Sequence, residues 1–123
     1  MGDQIVPCTY FDKPGEENSA AVFRIAGERA KALGTHTILV ASTTGATGAK
    51  AAVFFGEYDL VVVTHAYGFR AIPGNQDLQP KYRADIEAAG ARILTCPEPF
   101  CSVGWAVHKK VGGCDVEEVI ACV

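Results

Sequence analysis

The chain alternates short apolar runs with longer segments of helical periodicity. Four runs, Ile5–Phe11, Thr37–Ala41, Leu60–Thr64 and Arg92–Cys96, predict strands. They are continuous rather than alternating, Leu60-Val61-Val62-Val63 most clearly, as strands covered on both faces should be. Residues 19–33 predict a helix with Val22, Ile25, Ala26, Ala30 and Leu33 on one stripe and Arg24, Glu28 and Lys31 on another. Asn18 or Ser19 suits its N-cap, and Gly34 suits the position just past its end. Residues 80–89 start on Pro80, stop before Gly90, and put Tyr82, Ile86 and Ala89 on one face. Further helices are expected over 46–55 and over 101–111, the latter with Val103, Ala106, Val107 and Val111 inward. Residues 116–123 predict one short helix or a strand. The order β-α-β-α-β-α-β implies one α/β domain spanning 1–123, with a mostly parallel sheet in a three-layer α/β/α arrangement.

The two kinds of connection differ in chemistry. Helix-to-strand links are short and bland, such as Gly34-Thr35-His36 and Gly90-Ala91. Strand-to-helix links are longer and polar: Asp12–Asn18, Ser42–Gly48, His65–Gln79 and Pro97–Ser102. All of these lie at the carboxyl ends of the expected strands, the edge at which open α/β sheets bind ligands.

Within that edge, the stretch "ASTTGATGAK" (Ala41–Lys50) has two readings. Gly45 and Gly48 let the backbone turn its N–H groups toward an anion, and the hydroxyls of Ser42, Thr43, Thr44 and Thr47 can donate to it at a helix N-terminus. Lys50, taken as a first-turn cation, would conflict with the helix dipole unless an anion sat there. The other reading is a capped structural turn. The spacing fits neither the Walker A loop nor G-x-G-x-x-G. Asp12 and Lys13, at the tip of the first expected strand, are further site candidates. His65 either contacts a ligand or is a hydrogen-bonded structural histidine.

The stretches "YFDKPGEEN", "ILVASTTGATGAKAA" and "LVVVTHAYGF" resemble a small family of stand-alone, mostly archaeal and bacterial proteins with the fold of the pyruvate kinase C-terminal domain. The resemblance runs to about Gly113. It implies that Ser42, Thr43, Thr44, Gly45 and Thr47 surround a phosphate, as the equivalent loop of pyruvate kinase does for its allosteric sugar ligand. It further implies that His65, Tyr67, Gly68 and Phe69 line the pocket beside it, and that flavin mononucleotide (FMN) is a candidate occupant. Related chains continue past Gly112-Gly113, so the expectation is a shortened member with an exposed sheet edge that favours a homo-oligomer, and an alternative is a ligand-free interaction module that pairs through that edge.

Charge and cysteines narrow the classes. The net charge is -3 and the Lys and Arg residues are scattered, which argues against nucleic acid as partner. No apolar run approaches the roughly 20 residues of a membrane span. The start "MGDQIVPC" lacks the order of a secretory signal, so the expected location is the cytoplasm. There, Cys8, Cys96, Cys101, Cys114 and Cys122 are expected as reduced thiols, mostly buried. Two alternatives use them. Cys96 or Cys101 with His65 or His108 could act as an enzyme's nucleophile and base, and Cys96, Cys101, His108 and Cys114 form a loosely spaced candidate zinc set, for which no metal is expected.

Overall fold

The computed structural model describes residues 3, 5–67, 76–96, 99–113 and 119–120. The expected element at 116–123 lies largely outside them. The chain falls into two compact units, Met1–Thr35 and His36–Val123.

In the first unit, residues 5–14 carry no regular structure, a 3-10 turn covers Glu16–Asn18, and helix α1 spans Ser19–Leu33. The expected strand Ile5–Phe11 does not form. Pro7 sits mid-run with no N–H to give a ladder, and every residue of the run is exposed, so no burial rewards strand pairing. The buried positions of α1 are Phe23 and Ala30, while Val22 and Leu33 of the predicted stripe are exposed. The bulkier Phe23 takes the inner face, which turns the stripe by one residue. Asn18 occupies the N-cap without capping through its side chain, whose Nδ2 instead donates to the Lys13 carbonyl at 2.7 Å. Gly34, at φ 64°, closes the helix: the Thr35 N–H reaches the Ala30 carbonyl at 2.9 Å and the Gly34 N–H reaches that of Lys31 at 3.2 Å.

The second unit holds a three-stranded sheet, β1 (Thr37–Ala41), β2 (Asp59–Thr64) and β3 (Arg92–Thr95), in the order β1-β2-β3 with both pairings parallel. Helix α2 (Ala46–Phe54) connects the first pair, α3 (Pro80–Ala88) the second, and α4 (Pro99–Val111) follows. Val40, Val62 and Ile93 are register partners across the sheet, so Leu60, Val62 and Thr64 share one face with Ile38, Val40, Ile93 and Thr95. On that face lie α2 and α3, contributing Ala51, Ala52 and Ile86 to a core that Phe55 completes. Ile86 and Val62 are fully buried. At the carboxyl end, where the face turns polar, the Thr64 and Thr95 hydroxyls bond each other and so satisfy a part-buried pair.

The opposite face carries Leu39, Val61, Val63 and Leu94, and Leu39 is 68% exposed. Burial therefore alternates along the strands instead of being continuous as the apolar runs suggested. Among the positions of α4 whose burial is described, Gly104 is buried while Val103, Val107 and Val111 of the predicted stripe are exposed. Trp105 is part-exposed, with the Lys109 Nζ 4.7 Å from its ring centroid. The fold class is α/β with an all-parallel sheet, consistent with the expected three-layer α/β/α arrangement. Among the described residues, no helix is long and apolar enough to cross a membrane.

Candidate functional site

The carboxyl edge of the sheet is built from two loops that meet. β1 runs out into Ser42, whose N–H extends the ladder by bonding the Val63 carbonyl at 2.9 Å. The Ser42 hydroxyl is buried and accepts the Gly48 N–H at 2.9 Å. Gly45 is the N-cap of α2 at φ 100°, a left-handed conformation that a side chain would strain. A Cβ there would lie 2.6 Å from both Leu78 Cδ1 and Tyr82 Cβ. At Gly48, a Cβ would lie 2.5 Å from Val62 Cγ1 and 3.2 Å from Ile86 Cδ1, so this glycine lets α2 approach β2 and α3 closely.

Half of the suggestive stretch is thereby explained by packing. Ser42 is an internal cap, and both glycines fit the backbone into tight space. What is left over is chemically specific. Ala46 and Thr47 are the first two residues of α2, whose N–H groups have no acceptor within the helix, while the next, that of Gly48, is taken by Ser42. Thr44 is half-buried, and Thr43 and Thr47 are exposed. Lys50 is the fifth residue of α2, beyond the first turn, where the dipole effect has fallen off. The conflict expected from the sequence does not arise.

The second loop follows β2. His65 is half-buried, with Nδ1 3.1 Å from the Ala66 carbonyl. Tyr67 is exposed, and its hydroxyl accepts a hydrogen bond from Arg83 Nη2 at 3.0 Å. Gly68 and Phe69 lie outside the described residues. Where the loop returns, the Gln79 N–H donates to the Thr44 carbonyl at 3.0 Å and Leu78 is buried against Gly45. The start of α3 is thus pinned to the loop at the start of α2.

Arg83 was not singled out by its sequence context. Its N–H bonds the Gln79 carbonyl at 3.0 Å, and its Nη1 pairs with Glu87 at 3.2 Å. The bond with the Tyr67 hydroxyl, and after it the one with Glu87, raises the guanidinium pKa above its ordinary value. A sequence signal was present: the first turn of α3 holds Lys81 and no acidic residue.

The structure therefore brings Ser42, Thr43, Thr44, Gly45 and Thr47 to one edge with His65 and Tyr67 of the neighbouring strand's loop. Asp12 and Lys13 belong to the first unit, where both are exposed in a bend. Cys8 and Cys96 are free and exposed, contrary to the expectation of buried thiols; they sit in an irregular segment and just past a strand end, outside the core. Among the described residues, no group of three or more His, Cys, Asp or Glu is placed to hold a metal ion. The Cys101 side chain and Cys114 lie outside the described residues. The sequence matches no protein-family model.

Proposed function

We propose that the carboxyl edge of the sheet binds a phosphate-bearing small molecule, with FMN the candidate cofactor. The observation that carries this reading is the division of labour in residues 42–48. Ser42, Gly45 and Gly48 have structural work, while for the N–H groups of Ala46 and Thr47 and the hydroxyls of Thr44 and Thr47, at the start of α2, none is found among the described residues. N–H groups at a helix start, flanked by hydroxyls, are the donors that a phosphate's oxygens accept. The likeness to stand-alone proteins with the pyruvate kinase C-terminal domain fold points the same way.

Titration of the full chain with inorganic phosphate and with FMN tests the reading, alongside a Thr44→Val, Thr47→Val double variant. Loss of two donors to a charged acceptor should weaken both ligands by at least about tenfold. Equal affinity in the two proteins overturns it.

One observation favours a second reading. Thr64 and Thr95 are register partners joined by a hydrogen bond, and His65 and Cys96 come directly after them on adjacent strands. An exposed thiol and an imidazole placed just past neighbouring strand ends are the parts from which a nucleophile-and-base pair is built. Rapid alkylation of Cys96 by iodoacetamide at pH 7, abolished by His65→Gln, supports this enzyme reading; reaction only above about pH 8.5 removes it.

A further inference from the structure

We infer that the first unit carries a binding site of its own, a groove between α1 and the segment Ile5–Pro7 that takes a small apolar molecule bearing a carboxylate. None of its residues belongs to the carboxyl edge of the sheet, so it stands apart from the phosphate reading.

Helix α1 has two apolar sides. Phe23 and Ala30, two turns apart, share the buried one. Ile25, Arg29 and Ala32 fall on the opposite side, with Glu28 at its margin. The irregular segment Ile5-Val6-Pro7 faces them, and the two walls bound a cavity of about 260 Å³ that is open on one side. Both walls are mainly apolar. Ile5 is 97% exposed and Val6 46%, an apolar ledge whose surface a bound molecule would take out of water.

The polar groups of the lining set the charge of the occupant. Glu28 is already engaged, accepting from Arg24 Nη1 at 2.8 Å. Arg29 is half-buried in the wall, and among the described residues it has neither a hydrogen-bond nor an ion-pair partner. Its planar fork of N–H donors is therefore open to an acceptor, and a carboxylate matches that fork with two parallel bonds. One cation next to the Glu28 carboxylate suits a single negative charge better than a doubly charged phosphate. The volume lies at the small end of ligand pockets and suits on the order of ten non-hydrogen atoms. A protein partner would need a far wider patch, about 800 Å² on each side.

The test titrates the isotope-labelled full chain with phenylacetate and with its uncharged isostere phenylacetamide, read by amide chemical shifts. Phenylacetate should bind saturably, with a dissociation constant of about 1 mM or below, and shift Val6, Ile25 and Arg29; phenylacetamide should bind about tenfold more weakly. Arg29→Gln should weaken phenylacetate by about tenfold and leave the amide unchanged, and raised salt should act on phenylacetate alone. Glu28→Gln takes a like charge out of the wall and should strengthen phenylacetate by a few-fold, which a purely structural role for Arg29 would not produce. Ala32→Leu, at an exposed position, fills the groove and should abolish both. These positions lie away from Phe23 and Ala30, so the variants should fold, as melting temperatures check. Equal affinity of phenylacetate for wild type and Arg29→Gln overturns the inference. So does the absence of shifts at about 10 mM phenylacetate, or the same shifts produced by raising protein concentration alone, which would assign the groove to a second copy of the chain.

Discussion

The hydroxyl of Ser42 accepts the backbone N–H of Gly48 at 2.9 Å, both residues being buried, and so joins the end of β1 to the first turn of α2. The bond closes a loop that would otherwise leave a buried donor unsatisfied. Ser42→Ala should therefore cost about 1–2 kcal/mol, the range for losing a helix-capping hydroxyl. Urea unfolding should show a lower midpoint with an unchanged slope.

The two glycines of the same stretch predict an inverted result. In an exposed helix, replacing glycine by alanine gains about 1 kcal/mol. At Gly48 the new methyl would meet Val62 Cγ1, a stiff β-branched side chain in the core, and overpacking of that kind costs about 1–3 kcal/mol. Gly48→Ala should be neutral to destabilising. Gly45→Ala, strained at φ 100° as well as crowded by Leu78 and Tyr82, should be the worse of the two by thermal melting.

The two faces of the sheet should respond differently to truncation. Ile86→Ala, at a fully buried position between α3 and the sheet, should cost about 2–5 kcal/mol. Leu39→Ala, on the exposed face, should change stability by about 0.5 kcal/mol or less. Similar losses at both positions would mean that Leu39 is covered in solution.

At the opposite end of the strands, Arg92 and Asp59 pair at 2.6 Å across β3 and β2, with at least half of each side chain exposed. Despite the short distance, Arg92→Ala should cost less than about 1 kcal/mol, and the loss should shrink further in 1 M salt.

The regular elements of the second unit were legible in the sequence because their signals are local. Pro80 marks the start of α3, and the β-branched run Val61-Val62-Val63 marks β2. The run Ile5–Phe11 misled because its apolar content resembles a strand while Pro7 lacks the donor that a ladder needs. The site was legible only in outline. Its edge followed from the loop asymmetry, yet the duties of Ser42 and Gly48 depend on a partner six residues away and on the position of Val62, which no local pattern encodes. Arg83 was missed for the same reason, since Tyr67 becomes its neighbour only once α3 returns to the sheet. Lys50 misled as a first-turn cation, since in a helix that starts at Ala46, as both expected and found, it is the fifth residue.

Gly48 also acts as a keyway. Val62 and Ile86 close on its bare Cα, and any side chain there would push α2 away from β2 and α3. The donors of Ala46 and Thr47 are thereby held at a set height above the end of β1 before any ligand arrives. With the loop tied by the Ser42–Gly48 and Thr44–Gln79 bonds, an anion docking there would pay less of the entropy of ordering it than it would at a loop without them.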